Sequence, residues 1–202
     1  MFVIGVTGPS GAGKSVVATH LGGYGVNVID ADSVYHSIIT PPSRCLDELV
    51  HFFGKSILRA DGSLNRAALS KLVFGEENRE KLEVLNRITH KFVVLEIRRI
   101  INGFSVLGLP YCVIDAPLLI EADLVKDCDI VISVLADKAV RAERISARDS
   151  ITLDAAMLRI NSQKPDDFYS SVADITVYNN GDAQEVVAFV DSLLSERGVV
   201  LT

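Results

Sequence analysis

The chain has 202 residues, 49% of them hydrophobic, and a formal net charge of −6. That length and composition suit a single domain with a substantial core, and the acidic balance argues against a surface that grips nucleic acid through its phosphates. Three cysteines without CxxC spacing speak against a disulfide framework or zinc site, and no uncharged stretch approaches the ~18 residues of a membrane span, so the expectation is a cytoplasmic chain with core thiols and no membrane partner.

In chain order, FVIGVT (2–7), VNVID (26–30), YCVID (111–115), DIVISVL (129–135) and ITVYN (175–179) are short, β-rich and almost continuously apolar. Such runs fit strands covered on both faces, as in a parallel sheet. Helical patterns separate them, among them 13–22 and 183–196, so the expected fold class is α/β, a doubly wound five-stranded parallel sheet with helices on both faces. Two connections exceed a simple crossover. The first, 31–110, is mostly helical in pattern, including an amphipathic stretch from about Glu77 to Ile101, and is predicted to hold a helical subdomain. The second carries two predicted helices at 137–148 and 152–163 and is read as a lid over 136–165. No repeat or linker divides the chain, which is read as one domain over 1–202.

GPSGAGKS at 8–15 follows the first predicted strand and opens the first predicted helix. It matches G-x-x-x-x-G-K-[ST] in the context that motif requires, which makes this a P-loop chain. Gly8, Gly11 and Gly13 leave the backbone bare for a phosphate, and the helix start at Ala12–Val16 adds donors and the positive end of a dipole. Lys14 reaches the terminal phosphates as a point charge, and the Ser15 hydroxyl suits a Mg²⁺ that bridges them. The pattern predicts nucleoside triphosphate binding.

Neither DxxG nor NKxD is present, which disfavours a guanine-nucleotide switch. In VIDADS, Asp30 and Asp32 stand at the end of the second predicted strand, where ligands of open parallel sheets bind. A carboxylate there can orient an attacking hydroxyl and accept its proton. Asp32 also suits a helix cap, but behind a phosphate loop the catalytic reading is preferred. Asp115 ends the third predicted strand, a place for the Mg²⁺ water shell or for substrate. Arg141, Arg144 and Arg148 share one face of a predicted lid helix, with Arg159 on the next; one or two of them are expected on phosphate, and the rest in surface ion pairs. His90, alone in a long helical pattern, is not selected on physical grounds.

These features together resemble the dephospho-coenzyme A kinase family over about Ile4 to Gly181, through IGVTGPSGAGKS, VIDADS, DGSLNRAALSKLVF, His90 after NRIT, VIDAPLLIE, Arg144 and Arg148, RINSQ and ADITVYNNG. The resemblance implies ATP as phosphoryl donor with Mg²⁺ and dephospho-CoA as acceptor through its ribose 3′-hydroxyl; the chain is expected to be a monomer or weak homo-oligomer, a state its sequence does not reveal. The resemblance further implies Asp32 as catalytic carboxylate, Lys14, Ser15, Arg144 and Arg148 on the nucleotide, Asn179 near its adenine, and Arg66 and His90 as substrate contacts in a CoA-binding helical subdomain. The chain departs from the family pattern at Pro9, Ser10, His36, Lys91, Arg141 and Tyr169. Two other readings stay open: a kinase for nucleosides or nucleoside monophosphates, and an ATP-binding regulatory module.

Overall fold

The computed structural model describes residues 1–201, Glu76 by its backbone alone. Five strands, β1 (Phe2–Thr7), β2 (Asn27–Asp30), β3 (Tyr111–Asp115), β4 (Ile130–Leu135) and β5 (Ile175–Tyr178), form one sheet in the order β2-β3-β1-β4-β5. All four pairings are parallel. The apolar run of each strand predicts its place: β4 is buried throughout and β1 nearly so, whereas the edge strands β2 and β5 expose alternate residues. The predicted strand limits hold to within a residue.

Two compact units divide the chain, residues 1–30 with 104 onward, and residues 31–103. The first contains the sheet. Helix α1 (Lys14–Gly23) and helix α9 (Ala183–Glu196) close one of its cores, where Leu21 and Val190 meet Ile4, Val6, Ile132 and Val134. Each such side chain contributes about 1.5–3 kcal/mol by leaving water. Helices α6 (Lys138–Asp149), α7 (Leu153–Asn161) and α8 (Asp166–Ser170) belong to the same unit, and α6 meets α7 through Ala142, Ile145, Ala156 and Ile160.

The second unit is helical: α2 (Ala31–Ile38), α3 (Arg44–Phe53), α4 (Arg66–Val73) and most of α5 (Arg79–Val106). It has its own core of Ile39, Leu46, Leu49, Ile57, Leu69, Val73 and Ile88. The helical pattern read as 77–101 continues in α5 through Gly103 to Val106, where the Leu109 N–H closes the last turn on the Phe104 carbonyl. Among the described residues, no helix is long and apolar enough to cross a membrane. Cys45, Cys112 and Cys128 are free thiols that burial pushes up to about 11, 11 and 12.

Candidate phosphate-binding site

Residues 8–13 leave the carboxyl end of the central strand β1 and enter α1 without a side-chain cap. Gly13 occupies the N-cap position at φ 95°, a left-handed conformation that glycine adopts without penalty. Ser43 caps α3, Asn65 α4, Thr152 α7 and Asp182 α9 through their side chains, whereas α6 and α8, like α1, start without a side-chain cap. The start of α1 therefore offers its amides and dipole to an external anion. A side chain at position 13 would run into the Asn179 Nδ2, so the loop is closed by packing as well as by conformation. Lys14 Nζ donates to the carbonyls of Gly8 at 2.8 Å and Pro9 at 3.2 Å. Ser15 is exposed in the first turn of the helix.

The strand ends gather carboxylates beside this loop. Asp30 on β2 is in register with Asp115 on β3, and Asp115 is in register with Val6, two residues before Gly8. On the other side, Thr7 of β1 is in register with Ser133 of β4. Both hydroxyls are fully buried and have no hydrogen-bond partner among the described residues, so polar capacity remains unsatisfied where the sheet meets the loop. Between α1 and α9, next to the loop, lies an open groove of about 440 Å³ lined by Ser15, Val16, Thr19, His20, Ala183 and Gln184, among others.

The arginines of α6 differ in depth, although their spacing places them on one face. Arg144 donates to the Asn179 carbonyl at 2.9 Å, to Asn179 Oδ1 at 3.3 Å, and to the carbonyls of Gly11 and Ala12 at 3.4 and 3.5 Å. Asn179 Nδ2 in turn donates to the Ala12 carbonyl at 2.9 Å, so this buried side chain, expected near adenine, is engaged by the loop backbone. Arg148 is largely exposed, forks onto Asp149 at 2.7 and 3.0 Å, and reaches Ser10 Oγ at 3.5 Å. Arg159 also binds Asp149. The Arg148 hydrogen bond, joined by Arg159, holds the Asp149 carboxyl down at about 2. Arg141 is 2% exposed, and burial lowers its pKa against the opposing pull of Asp166 and Tyr169.

The remaining expected residues lie in the helical unit. Asp32 is exposed in the first turn of α2, which opens directly after β2. Arg66 Nη2 bonds His36 Nδ1 at 2.7 Å, and its guanidinium lies 6.0 Å from the Tyr35 ring centre. His90 is half-buried on α5, beside Lys91, which pairs with Glu48 at 2.7 Å. Two departures from the family pattern, His36 and Lys91, are thus both engaged by neighbours within this unit.

Sequence reasoning missed two groups. Gln163 is visible in the sequence only as the last letter of RINSQ, yet its side chain meets Ser10 and Arg141. His20 Nε2 lies 2.9 Å from both oxygens of Asp191, which also accepts from Tyr24 at 2.8 Å. No local spacing announces that pairing, because it joins α1 to α9.

Comparison with known proteins converges on one family. The CoaE family model, described as Dephospho-CoA kinase, matches residues 2–185. A dephospho-CoA kinase from Corynebacterium glutamicum is 39% identical over 196 residues, 97% of each chain. One from Carboxydothermus hydrogenoformans is 38% identical over 182 residues, 90% of this chain and 87% of that one. The crystal structure of TT1252 from Thermus thermophilus superposes with a TM-score of 0.77 at 27% identity, covering 96% of this chain and 97% of that one. With an uncapped phosphate loop on the central strand of a parallel sheet and a family match over nearly its whole length, the chain belongs to the dephospho-CoA kinase family of phosphotransferases.

Proposed function

We propose that the chain transfers the γ-phosphoryl group of ATP to the 3′-hydroxyl of dephospho-CoA, giving coenzyme A and ADP, in the cytoplasm. The observation that carries this reading is the start of α1, where Gly13 leaves the helix without a side-chain cap and Lys14 holds its ammonium over the loop carbonyls. Triphosphate binding replaces those carbonyl contacts with phosphate oxygens. The loop amides then hold the β- and γ-phosphates, and the groove between α1 and α9 takes the nucleoside end.

Acceleration comes from placement and fixed charge. The acceptor oxygen forms a bond to phosphorus as the bridge to the β-phosphate breaks, and the electron pair leaves with ADP. The acceptor proton passes to the Asp32 carboxylate, which first orients the hydroxyl. Lys14 and Arg144 balance the charge that develops on the transferring oxygens; Arg148 is the second lid contact. A Mg²⁺ would be held by the Ser15 hydroxyl, with Asp115 behind it, and would supply charge neutralisation on the phosphates. That donor set fits an ion that keeps several waters and takes few protein ligands. The helical unit, through Arg66 and His90, supplies contacts for the acceptor.

An ADP-release assay with Mg·ATP and, separately, dephospho-CoA, adenosine, uridine and AMP tests the proposal. Turnover is expected with dephospho-CoA alone. Turnover confined to another acceptor, or equally fast with none, overturns it. Asp32→Asn is expected to lower kcat by about 10²–10⁴-fold while the affinity for Mg·ATP stays within about twofold.

A further inference from the structure

Ser10, the third residue of the phosphate loop, is held through both its backbone polar groups by two side chains far away in sequence. Its N–H donates to Gln163 Oε1 at 3.1 Å, and its carbonyl accepts from Arg141 Nε at 3.0 Å. Arg141 Nη2 closes the ring by donating to the same Gln163 oxygen at 2.6 Å. Charge in such a buried position is costly unless it is paired and fully bonded, and Arg141 Nη1 also meets the half-exposed Asp166 carboxylate at 3.6 Å. The planar fork of a guanidinium suits this geometry, because it presents two donors at fixed spacing to a carbonyl and an amide oxygen. Lysine, with its compact ammonium, does not reproduce that fork.

The ring also sets the distance between α6 and the loop. A side chain at Gly11 would meet the Arg141 carbonyl at 2.9 Å and its Cα at 3.1 Å, so the two backbones touch beside the ring. Because Gln163 takes the Ser10 amide, phosphate recognition falls to the amides beyond Ser10, and their direction depends on how the Ser10 peptide is held. We propose that Arg141 and Gln163 are positioning residues for the phosphoryl donor, a clamp from α6 and the segment after α7 that pre-sets the phosphate loop for Mg·ATP. The clamp rests on the reading of the loop as the ATP site. It restrains the loop before any nucleotide arrives, so its loss is felt in donor affinity and not in acceptor affinity.

Calorimetry with Mg·ATP and steady-state kinetics on Q163M, R141K and Q163E test this assignment, with thermal melting run on each. Q163M removes the shared acceptor, and R141K keeps the charge without the fork. Both are expected to weaken Mg·ATP binding about tenfold, the scale of one lost buried hydrogen bond, with the KM for dephospho-CoA within twofold of wild type. Q163E, whose carboxylate accepts from both donors, is expected to restore affinity to within threefold. The clamp is overturned if Q163M and R141K bind Mg·ATP as wild type does, if folded Q163E is as weak as Q163M, or if neither Q163M nor R141K shows a melting transition. Should wild type itself bind no Mg·ATP, it is the ATP-site reading that fails, and the two failures are distinguishable.

Discussion

The sheet unit and the helical unit, in the proposed function, hold their ligands in opposite ways. In the sheet unit the backbone does it: a glycine at the N-cap leaves the amides of α1 without a side-chain cap, and Asn179, Arg144 and Gln163 hold the loop in shape. In the helical unit the starts of α3 and α4 are capped by Ser43 and Asn65, and the residues proposed to meet the acceptor are side chains on the helices. Backbone binding demands particular residue types at fixed spacing. Side-chain binding demands only that a few polar groups emerge from an apolar scaffold, so it leaves a fainter trace in sequence.

The contrast is sharpest at Lys14. Lys14→Met removes the charge over the phosphates and is expected to lower kcat by about 10²–10³-fold, while the thermal transition and the affinity for dephospho-CoA stay close to wild type. A variant that lost acceptor affinity equally would show that the lysine serves both substrates. The converse change is Leu49→Ala, which empties a fully buried position in the helical core. It is expected to cost about 2–5 kcal/mol in chemical denaturation, and to raise the KM for dephospho-CoA with Mg·ATP affinity retained. Equal loss of both affinities would mean that the two units do not divide the work.

The smallest effect concerns the exposed ends of α6 and α7. Asp149 titrates near 2 when folded, below the ~3.9 of an unperturbed aspartate. A depressed carboxyl contributes stability above the unfolded value, and loses it as pH falls from about 4 through 2. Asp149→Asn is therefore expected to melt slightly below wild type at pH 7, with the gap narrowing towards pH 2 and with added salt. A gap that persists at pH 2 would assign the loss to packing instead of charge.

Much of the sheet unit was legible in the chain. Five apolar runs gave the strands, and GPSGAGKS placed a phosphate loop after the first of them. Those signals are local, because burial on both faces dictates an unbroken apolar run and a bare loop dictates glycine. Arg141 shows the limit: its spacing with Arg144 and Arg148 predicted one shared face, yet α6 lies so that Arg141 is enclosed, Arg144 is pinned to Asn179 and Arg148 stays in water. Helical periodicity assigns a direction around the axis, not a depth along the neighbouring surface. Arg66 and His90 were nameable only through family resemblance, since nothing in their local pattern distinguishes a ligand contact from an ordinary helix surface.

The sequence by itself determined the sheet, the site of the phosphate loop and the chemistry available there, because each follows from residue types acting over a few neighbouring positions. Only the tertiary structure decided which distant side chains hold that loop. Ser10 meets Arg141 and Gln163 across 131 and 153 residues of chain, and such contacts depend on how the helices pack, a property that no short stretch of sequence carries.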